Sequence, residues 1–336
     1  MYDFCDSPFS TIHIHNNGDV HLCLCTPWHS KGPIGNLNDK SLYELWNSEW
    51  MDDFRNTVYD QSFKYCNRES CWKIHNLDKV ESLENIDIPE LPTIIYFQNL
   101  DDNCNLQCPS CRTSLRYSKE FNPNVDRILL PLVELYKDFD RPVTFSADGS
   151  GEFFSSESYL NFLRQENLPD IFQFYINTNG TLINKNIDLI EKHKDKIKCL
   201  TFSFDAATPE TYKKIRGHNL KTVISGIKKV RELGIGVVAQ FVVQQQNYHE
   251  IMMYKNLCTE LGVEFIGLQG INFWDHMNPQ WWEQNKLYDN PLIDYDLLDQ
   301  LIEEFKQTDN VSVGGNIITA LEHHKKGIIK IETARP

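Results

Sequence analysis

The sequence predicts an α/β protein in which a small Cys-rich module with a β-hairpin precedes a partial (β/α)6 barrel. Three observations predict it. Eight of the ten cysteines fall in the first third of the chain, at positions 5, 23, 25, 66, 71, 104, 108 and 111. An Asn-Gly turn joins two short apolar segments near the N-terminus. From residue 93 onward, short apolar runs alternate with amphipathic stretches, the pattern of parallel strands joined by helical crossovers.

The hairpin comes first. Ile12 to His15 and Val20 to Leu24 read as strands, and Asn16-Asn17-Gly18-Asp19 between them supplies the positive φ of a tight turn. Ser41 with Glu44 forms a capping box ahead of Leu42, Leu45 and Trp46, which predicts a helix start. Residues 81–92, with Pro89 and Pro92, read as a linker.

The barrel strands are predicted over Thr93–Gln98, Val143–Ala147, Phe172–Asn177, Cys199–Ser203, Val237–Val243 and Glu264–Gln269. Helical patterns lie near 126–139, 157–167, 184–196, 209–232 and 247–261. Such units place a site at the C-terminal ends of the strands. The domain reading is therefore 1–80 for the Cys-rich module, 81–92 for the linker, 93–285 for the barrel and 286–336 for a helical extension containing Leu297–Phe305.

Bulk properties narrow the function classes. A chain of 336 residues, 41% hydrophobic and 24% charged, suits a sizeable folded core. Its net charge of −14 argues against nucleic-acid and anionic-membrane partners, which need clustered Lys and Arg. The N-terminus lacks a basic and apolar leader, and no run is long enough for a membrane span. A cytoplasmic location is expected, where ten cysteines indicate metal or catalytic thiols rather than disulfides.

Directly after the first barrel strand stands Cys104-Asn105-Leu106-Gln107-Cys108-Pro109-Ser110-Cys111. A loop with this C-x3-C-x2-C spacing can wrap three thiolates around one face of a compact metal centre, and thiolates select zinc or iron–sulfur clusters. A structural zinc site wants a fourth ligand nearby, and none is evident. Three ligands with one open position is the arrangement of a catalytic metal. A zinc knuckle borrowing a distant ligand is the alternative.

This loop resembles that of the radical S-adenosylmethionine (SAM) superfamily, and the resemblance extends over roughly residues 93–270. It implies a partial (β/α)6 radical SAM barrel, a 4Fe–4S cluster on Cys104, Cys108 and Cys111, and SAM bound at the open iron. Ser110 stands where the family usually has an aromatic residue near the adenine. Asp148-Gly149-Ser150-Gly151-Glu152 is similar to the family's Gly-Gly-Glu turn, so Gly151 and Glu152 are implied to meet the SAM amino group, Ser150 replacing the first glycine. Asn177-Thr178-Asn179-Gly180 resembles its Thr-Asn-Gly turn. Ser203-Phe204-Asp205, with Tyr212 and Ile215-Arg216-Gly217 downstream, resembles its Ser-x-Asp segment. Ser203, Asp205 and Arg216 are thereby implied to lie near SAM, with Arg216 placed for its carboxylate. Gln244, Gln246 and Asn247 fall where ribose contacts occur. The bland readings are a plain βα turn for Gly151, helix caps for Ser203 and Asp205, and a surface ion pair for Arg216.

The N-terminal module resembles the SPASM-type auxiliary-cluster domain of the same enzymes. Cys5 near Pro8, the Asn-Gly-Asp hairpin before Cys23, Ile34-Gly35-Asn36-Leu37, Leu42-Tyr43-Glu44-Leu45-Trp46-Asn47-Ser48 and the Cys66/Cys71 pair carry the match. Such domains usually follow the barrel, whereas here the module precedes it. The resemblance implies a second, auxiliary 4Fe–4S cluster on Cys5, Cys23, Cys66 and Cys71, with Cys25 able to replace a ligand. A four-Cys zinc site has the same spacing. His13, His15 and His21 read as surface or core residues.

The resemblance implies an oxidoreductase chemistry. SAM is reductively cleaved to a 5′-deoxyadenosyl radical that abstracts hydrogen from a substrate carbon, with electrons from an external donor such as flavodoxin or ferredoxin. Peptide modification is the expected use. Action on a sugar or other small metabolite, and a non-catalytic iron–sulfur scaffold or electron carrier, are the rival readings. Cys25, Cys199 and Cys258 are candidate hydrogen-atom donors, against the bland reading of core packing for the last two. Phe273, Trp274, His276, Trp281 and Trp282 crowd a predicted rim loop, where substrate contact and packing compete.

Overall fold

The computed structural model describes residues 1–23, 30–69, 71, 73–84, 86–148, 151–274 and 277–326. The chain divides into two compact units. The first comprises Met1–Asp102, Lys119–Gly151 and Ser156–Tyr175, and the second Asn103–Ser118, Glu152–Ser155 and Ile176–Pro336.

The strands of the first unit are β1 (Tyr2–Phe4), β2 (Thr11–His15), β3 (Asp19–His21), β4 (Gly35–Asn36), β5 (Asp78–Val80), β6 (Ile94–Gln98) and β7 (Val143–Asp148), with the first residues of β8 (Phe172–Thr178). The hairpin of β2 and β3 forms as expected, with His13 opposite His21. Gly18 sits in its turn at φ +89°, and its N–H donates to the His15 carbonyl at 2.9 Å. A Cβ here would also approach Asn36 Oδ1 to 2.9 Å, so the turn and the neighbouring β4 both require glycine. On its other side β2 runs parallel to β6, and β6 runs parallel to β7.

The capping box also forms. Ser41 Oγ accepts from Glu44 N–H, and the Glu44 carboxylate accepts from Ser41 N–H at 2.8 Å. It starts the helix Leu42–Trp46, which delivers Trp46 into the core. The indole N–H donates to the Pro89 carbonyl at 2.8 Å, and the Arg55 guanidinium covers the ring at 4.6 Å. These contacts tie the Pro-rich stretch down. Burying such a ring stabilises the module by about 2–3 kcal/mol. Phe97, Phe145, Phe162, Phe172 and Phe174 form an aromatic core under the sheet, with Phe145 and Phe172 edge to face at 4.6 Å.

The second unit continues with the end of β8 and with β9 (Ile197–Ser203), β10 (Gly236–Val243), β11 (Phe265–Gly270) and β12 (Val311–Val313). Pairings from β9 to β12 are all parallel. Helices Pro209–Arg216, Leu220–Glu232 and Ile251–Glu260 make the crossovers. Along β10 the burial alternates: Val237, Ala239, Phe241 and Val243 are buried, while Gly236, Val238, Gln240 and Val242 on the other face are half-buried. Parallel strands alternating with helices bear out the α/β class.

Three local expectations change. The helix predicted over 209–232 is two helices, because Asn219 caps the second by accepting from Lys221 N–H at 2.9 Å. The helix predicted over 184–196 shortens to Ile187–Lys192 after a single 3-10 turn. The segment 286–336, read as helical, also contributes β12, whose three residues are too short to carry a periodic signal. Among the described residues, no helix is long and apolar enough to cross a membrane.

Candidate metal centres

The first unit brings four thiols to one cavity. Cys5 follows β1, Cys23 follows β3, and Cys66 and Cys71 lie in turns beyond the helix Glu49–Tyr59. Those turns are closed by Cys66 N–H to Phe63 O at 2.9 Å and by Cys71 N–H to Asn67 O at 3.0 Å. All four cysteines line a cavity of about 290 Å³, together with His13, Tyr96 and Lys73. Burial pushes the Cys66 thiol up to about 12. Burial, and then the nearby thiols of Cys5, Cys66 and Cys71, push Cys23 up as well. Such a group ionises readily only when a cation compensates it, which is what a metal centre supplies. Among the described residues no three His, Cys, Asp or Glu side chains close around a single-ion position. A cavity this size far exceeds the 10–15 Å³ or so that admits one water. Four soft donors around such a space fit a cluster of several atoms.

His13 is a core residue here, 4% exposed and stacked on Tyr96 at 4.5 Å. Its Nδ1 has no hydrogen-bond partner among the described residues, and burial pulls its pKa down to about 3. Lys73, which sequence reasoning passed over, forms an ion pair with Asp6 beside Cys5.

In the second unit the three-Cys loop is a packed knot. Cys104, Leu106 and Cys108 are buried together, and Cys111 packs against them. Cys104 N–H donates to Arg116 O at 2.7 Å, and Asn103 Nδ2 donates to Ser118 O at 2.7 Å, which closes the loop at its base. Cys111 and Arg112 both donate their N–H to Cys108 O, at 2.9 and 3.0 Å, which turns the third cysteine back toward the second. Burial pushes Cys104 up to about 11 and raises Cys108 too. Three soft donors on one loop, two buried and one half-buried, fit the face of an iron–sulfur cluster.

Each thiol faces a side-chain N–H donor. Asn179 Nδ2 lies 3.9 Å from Cys104 Sγ, Arg216 Nη1 lies 3.8 Å from Cys108 Sγ, and Arg112 Nη2 lies 3.7 Å from Cys111 Sγ. Leu106 N–H adds a backbone donor to Cys104 Sγ at 3.5 Å.

Glu152 is 2% exposed. Its carboxylate accepts from Thr178 Oγ1 at 2.7 Å, Asn179 N–H at 2.5 Å and Phe154 N–H at 3.1 Å. Burial raises its pKa, and these donors work against that rise. The carboxylate thus locks one turn to the Thr178–Asn179–Gly180 turn. Gly180 lies at φ +76°, and a Cβ there would come within 2.8 Å of Phe202 and of Val223. Gly151 is half-buried beside Glu152, and residues 149 and 150 lie outside the described residues.

Arg216 is no surface pair. Its Nη2 meets Asp205 at 2.5 Å, with the two side chains 14% and 2% exposed. Burial opposes its charge, but Asp205 and Cys108 outweigh burial and raise its pKa. Asp205 also accepts from Val242 N–H at 2.7 Å. Asn247 serves the turn, donating to Asp205 O and Val242 O, each at 2.9 Å. Gln244 is fully buried with neither side-chain amide atom paired, and the Tyr212 hydroxyl and Arg216 Nε are likewise buried and unpaired among the described residues. Buried polar atoms are normally paired, so these orphans fit a polar ligand such as SAM. Ser203 ends β9 half-buried, and Ser110 is half-buried in the cysteine loop.

Neither Cys199 nor Cys258, the two described candidate hydrogen donors, is placed in this loop. Cys199 sits near the start of β9, four residues before Ser203. Cys258 is buried on the helix Ile251–Glu260 beside the Tyr254 hydroxyl. Cys25 and His276 lie outside the described residues. Phe273 and Trp274 are largely exposed, and Phe273 rests on the buried Trp282 at 5.5 Å. Of the three donors at the cysteine loop, Arg112 had no sequence signal beyond its place next to Cys111.

Two family matches cover these sites. Residues 99–258 match the radical SAM superfamily, and residues 5–73 match an iron–sulfur cluster-binding domain, SPASM. The fold is similar to that of Streptococcus suis SuiB bound to precursor peptide SuiA, at a TM-score of 0.51 and 16% identity over 95% of this chain and 74% of that chain. Native anSMEcpe with bound AdoMet gives 0.45 and 16%, over 66% of this chain and 64% of that one. TYW1 with a lysine-pyruvate adduct bound gives 0.40 and 16%, over 65% and 71%.

Proposed function

We propose, for a chain that belongs to the radical SAM superfamily and carries a SPASM iron–sulfur domain, that it is an enzyme acting on an unactivated carbon of a peptide. When bound, the 4Fe–4S cluster and SAM supply reductive formation of a 5′-deoxyadenosyl radical and hydrogen abstraction from the substrate. The observation that carries the reading is the packed three-Cys knot, within the matched residues 99–258, together with the Tyr212 hydroxyl, Arg216 Nε and Gln244 amide, which are buried and without a partner among the described residues.

In this reading Cys104, Cys108 and Cys111 hold the cluster, and the Glu152 bonds keep the Asn179 turn at its edge. Gln244, Tyr212 and Arg216 orient the polar groups of SAM. Ser203 and Ser110 line the approach to it. Cys5, Cys23, Cys66 and Cys71 hold an auxiliary 4Fe–4S cluster. The fold shared with SuiB, a protein described bound to its precursor peptide, supports a peptide over a small metabolite. A flavodoxin or ferredoxin is the expected electron source.

Anaerobic reconstitution, reduction with dithionite and addition of SAM test the reading. The expected result is 5′-deoxyadenosine and methionine in equal amounts. An iron-loaded protein that forms neither, with or without peptide, would sink it.

A further inference from the structure

The three thiols of the cysteine loop are matched by three side-chain N–H donors. They come from the turn after β8 (Asn179), from the last residue of the helix Pro209–Arg216 (Arg216) and from the loop itself (Arg112). Two of the three are cationic, and Asn179 and Arg112 are each 7% exposed. Asn179 is held in place from both ends. Its Nδ2 also reaches Asn105 Oδ1 at 3.0 Å, and its Oδ1 accepts from Thr181 N–H at 2.9 Å.

We propose that Asn179, Arg216 and Arg112 set the reduction potential of the iron–sulfur cluster by donating one hydrogen bond to each of its three thiolates. The proposal rests on the reading of Cys104, Cys108 and Cys111 as cluster ligands. Accepting an electron adds negative charge to the cluster and its sulfurs. An N–H donor, and more so a guanidinium, stabilises the charge-rich state and raises the potential. Burial keeps these interactions from being screened. Two carboxylates work in the opposite sense. Asp205 pairs with Arg216 and offsets part of its charge, and Glu152 lies near Cys104. The donors therefore act as a directed set, with one side-chain N–H per sulfur, rather than as a pool of positive charge. Asn179 and Arg112 are positioning residues that act through the cysteine ligands, and Arg216 does so in addition to its contact with SAM.

The test is an EPR-monitored redox titration of the reconstituted full-length protein, with iron counted in every sample. The signal that changes on adding SAM identifies the cluster of interest. Asn179→Leu, Arg112→Met and the pair Arg216→Met with Asp205→Asn each remove one donor, and the pair leaves no lone buried carboxylate. Each is expected to make the one-electron reduction roughly tenfold less favourable, a shift of about 59 mV to more negative potential. Asn179→Asp, which keeps the shape but replaces the donor by an acceptor, should shift it further, and Arg112→Lys should recover part of the loss. Arg112→Lys and Asn179→Asp give the same readout if a larger truncation fails to hold iron. Iron-replete variants with the wild-type potential overturn the proposal. So does an Arg216 variant that loses only SAM affinity, since Arg216 then serves SAM and not the sulfur. A wild-type protein with no SAM-responsive signal overturns the parent reading instead.

Discussion

Arg216 and Asp205 form a buried ion pair, 2.5 Å from Nη2 to carboxylate, in which the carboxylate also accepts the Val242 N–H. The pair joins the end of one crossover helix to the turn after β9 and to β10. Its cost and its benefit are both electrostatic, because both groups leave water.

Arg216→Met alone strands the Asp205 carboxylate. We expect a loss of about 3–5 kcal/mol of stability, read as a lower urea midpoint. Adding Asp205→Asn should restore most of it. An equal loss in single and double variants would mean that packing, not the orphaned charge, sets the cost.

Glu152→Ala removes the acceptor of three donors at Thr178, Asn179 and Phe154. Leaving buried donors unmade costs about 1–3 kcal/mol for each group. Thermal unfolding should fall sharply, while Glu152→Gln, which retains one acceptor oxygen, should fall less. Matching melting temperatures for Glu152→Ala and wild type would contradict the locking role.

Iron content separates the two centres. Replacing Cys104, Cys108 and Cys111 together by Ala should remove roughly half of the iron and sulfide, and replacing Cys5, Cys23, Cys66 and Cys71 should remove the other half, as two clusters of one type require. Zinc in place of iron in the second set, after anaerobic purification without added metal, would reassign that site.

His13 makes the first unit sensitive to acid. Its folded pKa is about 3 against 6.5 for the free side chain. The unfolded chain therefore takes up a proton near pH 6.5 that the folded chain refuses. The stabilisation is complete above pH 6.5 and is lost as pH falls toward 3, by up to about 1.4 kcal/mol per unit. His15 and His21 are lowered in the same direction, chiefly by burial, and add to the slope. Urea midpoints at pH 7 and pH 5 should differ less in His13→Phe than in wild type.

The local rules were legible in the sequence. The hairpin at Gly18 and the Ser41/Glu44 box form because each is decided by residues within four positions of one another. The C-x3-C-x2-C spacing is equally local, whereas Cys5, Cys23, Cys66 and Cys71 span the first 71 residues and were legible only through the resemblance. What the sequence concealed depends on distant segments meeting. Glu152 reads as a ligand-facing carboxylate until the Thr178–Asn179 turn is seen to occupy it. Arg216 reads as a SAM contact or a surface ion pair until Asp205 and Cys108 are seen around it. Lys73 and Arg112 carry no spacing signal, and β12 is too short to alternate.

Gly180 carries a consequence of another kind. Its φ of +76° and the 2.8 Å approach of Phe202 and Val223 make any side chain here costly. Every base change that alters a glycine codon without ending the chain introduces a Cβ. Gly180→Ala should therefore cost about 1–3 kcal/mol through strain and overpacking. In a drifting lineage this position is then held more tightly than its neighbours: smaller side chains at 202 and 223 would relieve the crowding, and the positive φ would still favour glycine.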